Sequence, residues 1–236
     1  MENLNFGQHI SHQFDTDLAA VVSHLMSMGG LVEQQVKDAT DSLLNNDLAL
    51  AQQVVVGDTK VNAFEVAIDE ECTRILAKRQ PAARDLRLVI AIIKTITDLE
   101  RIGDQAERIA RQTLDLQGTE CPAEFRESYR EMAIVVLQMV HDTLDAFARL
   151  DTQTAAKTTE VDDQVDRYYV DLLTQLTPRI AAHPDQTADH IKMMWSTRAL
   201  ERIGDHSCNI CEYVIYFVKG KDVRHIGRDA LRKHQS

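Results

Sequence analysis

The hexapeptide LERIGD occurs twice in this chain of 236 residues, at 99–104 and again at 200–205. Shifting the sequence by 104 residues also aligns 36–47 (VKDATDSLLNND) with 140–151 (VHDTLDAFARLD). Six identical consecutive residues, preceded by weaker matches in similar register, indicate an internal duplication. Each copy is about 100 residues long, which is enough chain to form its own hydrophobic core.

Apolar residues recur at steps of three and four along most of the chain, which is the periodicity of amphipathic α-helices. Nine Gly and four Pro are too few for the frequent turns of a β-sandwich or barrel. Pro178 is predicted to kink or end the fifth helix. We therefore predict an all-α fold of two tandem, similar three-helix bundles, with helices near 14–43, 47–78, 84–114, 123–150, 154–182 and 187–218.

The predicted domains follow the duplication. The first three-helix repeat covers 1–119, the second covers 120–218, and 219–236 form a basic C-terminal tail with six Lys or Arg against two acidic residues. Such a tail could contact a partner's acidic surface, or it could be disordered.

The composition excludes several classes of protein. A formal net charge of −11 disfavours nucleic acid as the main partner, because phosphates would be repelled. No apolar run reaches the ~18 residues of a transmembrane helix, and the N-terminus lacks the pattern of a signal peptide. Four Cys in so long a chain do not form a disulfide framework, so we expect a cytoplasmic protein. No nucleotide-binding loop or serine-hydrolase motif is present.

Each LERIGD box places two carboxylates on one helical face, Glu100 with Asp104 and Glu201 with Asp205. Like charges at this spacing and a Gly in mid-helix both disfavour the helix. A hard cation that bridges the carboxylates would compensate, and the Gly would let another group approach. Salt bridges to Arg101 and its neighbours are the alternative explanation.

The helix before each box carries a second acidic stripe. In the first repeat Asp58, Asn62, Glu65 and Asp69 are spaced for one face, and in the second repeat the stripe is poorer because Tyr169 replaces a carboxylate. Oxygen ligands suit Mg²⁺, Mn²⁺ or Ca²⁺, with iron or zinc as further candidates. The predicted metal ligands are Glu65, Asp69, Glu100, Asp104, Asp162, Asp166, Glu201 and Asp205.

Other motifs are weaker. No Glu is followed three residues later by His, which disfavours a ferritin-like di-iron enzyme. Cys208-x-x-Cys211 has no second Cys pair and lies within a helix, so we expect small core side chains. His206 points to a different face from Asp205, which predicts a surface or interface position. A carboxylate-bridged metalloenzyme and a metal-binding structural module, or one in which the acids make only salt bridges, remain alternatives.

Basic residues surround the predicted loop between the second and third helices, in KRQPAARDLR at 78–87. This segment is either a solvated turn or a patch that docks a partner or an anion. The predicted partner-docking residues are Arg84, Arg87, Arg101 and Arg202.

The sequence resembles the PhoU family of phosphate-signalling regulators. The resemblance rests on the doubled LERIGD box and on the segments HISHQFDTDL at 9–18, ARDLR at 83–87 and ERIGDHSCNICEYVIYFVKG at 201–220. It implies two three-helix bundles, often dimeric, that bind metal ions through the eight acidic residues given above.

The resemblance also implies a function without catalysis. Members of this family link the ATPase subunit of a phosphate ABC transporter to a sensor histidine kinase and repress the phosphate-starvation response when phosphate is plentiful. Membrane association would then arise only through these partners.

Overall fold

The computed structural model describes residues 12–220, and within this range it contains helices and no β-strand. A short 3₁₀ turn at Pro184–Gln186 precedes the last helix. The predicted all-α fold of six long helices is therefore confirmed. The helices are α1 (His12–Asn45), α2 (Leu48–Arg79), α3 (Ala83–Asp115), α4 (Ala123–Arg149), α5 (Thr152–Ala182) and α6 (Thr187–Lys219).

The connection between the first and second helices has the same structure in both repeats. Asp47 precedes α2 and its side chain accepts a hydrogen bond from the backbone N–H of Leu50, whereas Asp151 caps α5 in the same way. Asn46 and Leu150, one residue earlier, both adopt a left-handed backbone conformation. Because these positions coincide under the 104-residue shift, the duplication is visible in backbone detail. Such caps typically stabilise a helix by about 1 kcal/mol.

Pro178 does not end α5, which continues to Ala182. The proline is exposed and lies close to the helix end. Water can therefore solvate the carbonyl group that loses its N–H partner, so the cost of the proline is small at this position. The predicted domain boundary at 119/120 falls in the segment between α3 and α4. The predicted tail begins at residue 219, where α6 ends, and its residues from 221 onward lie outside the described range.

The six helices form two bundles that share a long interface. Helices α1, α2 and α3 pack on one another, as do α4, α5 and α6. The bundles meet where α3 packs on α6 and where α1 packs on α4. Lys192, near the start of α6, donates to the carbonyl of Asp115 at the end of α3, so α3 and α6 run antiparallel. We call this contact the α3/α6 seam, and both LERIGD boxes lie near its middle.

Candidate functional site

Gly103 of α3 lies directly against side chains of α2. A Cβ atom built at Gly103 would lie 3.2 Å from Cγ1 of Val61 and 3.3 Å from Oδ1 of Asp58. Both distances are tighter than ordinary van der Waals contact, so glycine permits this approach. The predicted role of the box glycine in close approach is therefore supported, and the approaching group is α2 of the same repeat.

Gly204 occupies the equivalent place in the second repeat. A Cβ atom there would lie 3.4 Å from Oδ1 of Asp162 and 3.5 Å from Cγ1 of Val165. Asp162 and Val165 match Asp58 and Val61 under the 104-residue shift. Each box glycine thus faces one carboxylate and one valine on the preceding helix, with slightly more room in the second repeat.

Asp58 is a site residue that the set of eight ligands omitted. It is buried, and its carboxylate accepts hydrogen bonds from the amide groups of Gln35 (3.0 Å) and Asn62 (3.2 Å). The side-chain oxygen of Gln35 is itself buried without a partner. The sequence did carry a signal for Asp58, because Asp58 coincides with Asp162 under the shift.

The first repeat gathers carboxylates that repel one another. Burial, together with the negative charges of Asp104, Glu65 and Asp58, raises the pKa of Glu100 to about 7. Burial and the charge of Asp58 likewise raise the pKa of Asp104. Burial and the charge of Asp69 raise that of Glu65. This cluster favours either bound protons or a bound cation.

The second repeat contains a similar cluster around Glu201. Burial, together with the negative charges of Asp205, Asp166 and Asp162, raises the pKa of Glu201 to about 7. Burial also raises the pKa of Asp205. The Oε2 atom of Glu201 is buried without a hydrogen-bond partner, so a proton or a cation would satisfy it.

The two clusters differ in how they are neutralised. Arg198 donates a hydrogen bond of 2.5 Å to Glu201, and its guanidinium lies 5.5 Å from the centre of the Tyr169 ring. A shift of 101 residues aligns the two LERIGD boxes and places Thr97 at the position equivalent to Arg198. The 104-residue shift places Glu65 at the position equivalent to Tyr169. The second cluster therefore contains its own cation, whereas the first has an additional carboxylate.

The chemistry of these side chains fits a hard cation, but their placement is looser than a formed site. Among residues 12–220, no group of three or more His, Cys, Asp or Glu side chains is arranged to hold a metal ion. Asp69 and Asp166 are exposed, and Glu201 and Asp162 are buried. The remaining predicted ligands, Glu65, Glu100, Asp104 and Asp205, are half-buried.

The basic segment predicted around the α2–α3 loop is divided between two surfaces. Arg79 turns back to α1, where it forms an ion pair of 2.9 Å with Asp17. Arg84 lies 5.6 Å from the centre of the Phe217 ring, and Arg87 lies beside the C-terminal end of α6. Arg84 and Arg87 therefore belong to the seam side of the molecule, away from Arg79.

A buried polar network across the seam was not predicted. Asp98 of α3 accepts hydrogen bonds from His206 (2.7 Å), Asn209 (3.1 Å) and Tyr213 (2.8 Å) of α6. Burial alone would raise the pKa of Asp98, but these hydrogen bonds outweigh it and the pKa is lowered. An ionised Asp98 can only accept, so Nδ1 of His206 is the donor. His206 thus occupies an interface position between the repeats.

The Cys pair of α6 has the properties expected of core side chains. Cys208 and Cys211 are free thiols, and Cys211 is fully buried against the hydroxyl of Thr143. Burial raises the pKa of both thiols, that of Cys211 to about 12. A thiol held in its neutral form is a poor nucleophile and a poor metal ligand.

The fold and the site define a class of protein: a duplicated three-helix bundle in which each box glycine packs against a carboxylate cluster. The chain belongs to the PhoU family, since the PhoU domain matches residues 25–113 and 129–214. No helix of the described range is long and apolar enough to cross a membrane.

Similar proteins cover nearly the whole chain. The phosphate-specific transport system accessory protein PhoU of Serratia marcescens is 47% identical over 240 residues, which cover 99% of this chain and 96% of the relative. A PhoU homolog of Pseudomonas aeruginosa is 48% identical and covers 95% of this chain and 93% of the relative.

Two solved structures share the fold. The crystal structure of PhoU from Pseudomonas aeruginosa has a TM-score of 0.85 at 46% identity, covering 88% of this chain and all of that one. The phosphate transport system regulatory protein PhoU from Streptococcus pneumoniae has a TM-score of 0.81 at 30% identity, covering 89% of this chain and 99% of that one. The predicted family is confirmed, and the relatives of this chain are named as accessory or regulatory proteins of phosphate transport.

Proposed function

We propose that this protein is a non-enzymatic regulator of phosphate uptake and phosphate homeostasis. It acts in the cytoplasm as a homodimer and links the ATPase subunit of a phosphate ABC transporter to a sensor histidine kinase. When phosphate is plentiful it represses the phosphate-starvation response. The observation that carries the proposal is nearly full-length similarity to proteins named as accessory to phosphate-specific transport.

We also propose that a divalent or trivalent cation binds each LERIGD cluster. The raised pKa values of Glu100 and Glu201, together with the unpartnered oxygen of Glu201, support this proposal. Mg²⁺, Mn²⁺, Ca²⁺, iron and Zn²⁺ are the candidates. A bound cation would offset repulsion between carboxylates and brace α2 against α3, and α5 against α6. Its role is therefore to fix the shape of the bundle.

The regulatory proposal is tested by deleting the gene in its host and measuring alkaline phosphatase activity at high phosphate. We expect high activity in the deletion strain and a return to low activity when the intact gene is restored. Low activity in the deletion strain would contradict negative regulation. A pull-down with the purified ATPase subunit and kinase, at low salt, then tests the two partners directly.

A further inference from the structure

The outer surface of the α3/α6 seam is formed by two stripes of residues at heptad spacing. Residues seven positions apart lie on one face of an α-helix, with a small rotation. One stripe runs along α3 and the other, antiparallel to it, along α6. Together they form what we call the seam face, made of Lys94, Arg101 and Arg108 on α3 and Trp195, Arg202, Asn209 and Tyr216 on α6.

Contacts between the helices place members of both stripes at the junction of α3 and α6. The ammonium group of Lys94 on α3 lies 5.5 Å from the ring centre of Tyr213 and 5.7 Å from that of Tyr216, both on α6. Asn209 of α6 donates a hydrogen bond to Asp98 of α3. The stripe residues therefore lie on either side of the line where the two repeats meet.

The seam face carries positive charge on an acidic protein. Within the described residues, no carboxylate oxygen lies within the 4.0 Å of an ion pair from the cationic groups of Lys94, Arg101, Arg108 and Arg202. At longer range these arginines interact with the acids of the boxes. The charge of Arg101 partly offsets the raised pKa of Glu100, and that of Arg202 partly offsets the raised pKa of Asp205. The carboxylate of Asp98, which lies between the two helices, already accepts hydrogen bonds from three donors of α6.

Trp195 gives the seam face one large apolar contact point. Its side chain is 57% exposed, although a buried tryptophan would be the ordinary outcome in a bundle of this size. The equivalent position in the first repeat is Lys94, so the fold of a repeat does not require an aromatic residue there. Tryptophan and arginine are the residues that most often dominate binding at protein interfaces.

We propose that the seam face is a docking groove for an acidic helix of a partner protein. Neighbouring cations of the α3 stripe are about 10 Å apart along the helix, which matches acidic residues one heptad apart on a helix lying in the groove. An apolar residue of that helix packs on Trp195. A second copy of this chain would bring like charges together if it docked through the same face. Among the large apolar side chains that are exposed in residues 12–220, only Trp195 belongs to the seam face, so a membrane would meet little apolar surface there.

This inference rests on the proposed function for the identity of the partner, which is the transporter's ATPase subunit or the sensor kinase. The test compares the full-length parent with Arg101→Glu/Arg202→Glu and with the control Arg74→Glu/Arg167→Glu. The control changes the net charge equally on exposed arginines of α2 and α5. Helix α2 does not contact α6, and α5 does not contact α3. Far-ultraviolet circular dichroism and thermal unfolding establish that each variant is folded.

Binding is measured with the purified ATPase subunit and the cytoplasmic part of the kinase, at low and moderate salt. For at least one partner, we expect the seam variant to lose at least tenfold in affinity and the control to stay within about twofold. Trp195→Ala should also weaken binding by about tenfold. If the seam variant binds as tightly as the parent, the groove is not the docking site, although the proposed function stands.

A second arm separates failure of the groove from failure of the proposed partners. A photo-crosslinking p-benzoylphenylalanine at position 195 is used in host cells, and the crosslinked segment is identified by mass spectrometry. A crosslink to an acidic helical segment, lost in the Arg101→Glu/Arg202→Glu background, supports the groove even if neither expected partner binds. Crosslinks only to a second copy, only to lipid, or to nothing overturn the inference. Seam-dependent binding to phosphatidylglycerol vesicles without such a crosslink would also overturn it.

Discussion

Oδ1 of Asp98 and Nδ1 of His206 lie 2.7 Å apart although they are 108 residues apart in the sequence and belong to different repeats. Both side chains are almost fully buried, at 3% and 4% exposure. A hydrogen-bonded pair in such a place fixes how α3 and α6 align, because sliding one helix would leave polar groups without partners. The pair therefore couples the two repeats more specifically than apolar packing does.

The first prediction concerns this pair. Asp98→Ala removes the acceptor of the buried His206 and of the half-buried Asn209 and Tyr213, and we expect it to lower the free energy of unfolding by about 3–5 kcal/mol. Urea unfolding at pH 7 measures the change. Asp171→Ala, at an exposed position of α5, is the control and should stay within about 0.5 kcal/mol of the parent. An equally small effect at Asp98 would show that the network does not stabilise the fold.

The second prediction concerns glycines in three different surroundings. Gly57→Ala should stabilise the protein by about 0.5–1 kcal/mol, because a Cβ atom there meets nothing within 4 Å and alanine favours helix. Gly103→Leu should destabilise it by about 1–3 kcal/mol, since the added side chain collides with α2. Gly204→Ala should fall between these values. Thermal unfolding of the three variants gives the order, and a stabilising Gly103→Leu would refute close approach.

The third prediction is a dependence of stability on pH in the presence of a chelator. The pKa values of Glu100 and Glu201 are raised in the folded protein to about 7. Their protonated forms are therefore favoured by folding, so the associated stability is fully present below about pH 4.5 and is lost as the pH rises through 7. We expect the melting temperature to fall between pH 5 and 8.

Glu100→Gln should reduce this fall, because the amide cannot ionise. Glu70→Gln replaces an exposed acid of α2 and serves as the matched control, which should keep the pH dependence of the parent. If Glu100→Gln and the parent lose the same amount of stability over this range, the repulsion at Glu100 does not contribute to it.

The fourth prediction distinguishes the two proposed cation sites. Arg198 already neutralises Glu201, whereas the first cluster has no corresponding cation at Thr97. After chelation, Mn²⁺ or Mg²⁺ should raise the melting temperature of the parent, by an amount that depends on its concentration relative to the Kd. The variant Glu100→Gln/Asp104→Asn should lose most of this rise in melting temperature. The equivalent variant of the second box, Glu201→Gln/Asp205→Asn, should lose less of it.

Replacing Arg198 by Ala provides the converse test. Because this change frees the carboxylate of Glu201, it should increase the part of the metal-induced rise in melting temperature that comes from the second box. Equal contributions from the two boxes in all variants would show that the arginine does not compete with the metal ion. The absence of any shift with several metal ions would instead support a module whose acids make only salt bridges.

The fold was predictable because its information is local and repeated. The three-to-four periodicity marks each helix, and Asp47 marks the start of α2 through its cap. Of the two predicted effects of Pro178, a helix end is not found, because the cost of a proline depends on whether solvent can reach the freed carbonyl, which the sequence does not state. The duplication then determined how many bundles to expect.

The candidate site was predictable only in part. Repeated features such as Glu100 with Asp104 were found because the second box shows the same pattern. The network around Asp98 has no such signal, since the repeat places Ala199 at the equivalent position. Its donors lie on a helix of the other repeat, and helical periodicity within α3 carries no information about that helix. Features that break the internal symmetry therefore required three-dimensional coordinates.

Because the two sides of the seam differ, the two repeats are not interchangeable as separate chains. If two separate copies of the first repeat associated in the same way, Asp98 would face Gln105, the counterpart of His206, on both sides. Two copies of the second repeat would bury His206 against Ala199 with no acceptor. Neither half-length chain would contain both Asp98 and His206, so pairing with itself could not restore this particular hydrogen bond. The contact that aligns the seam therefore exists only when the two different halves are present together.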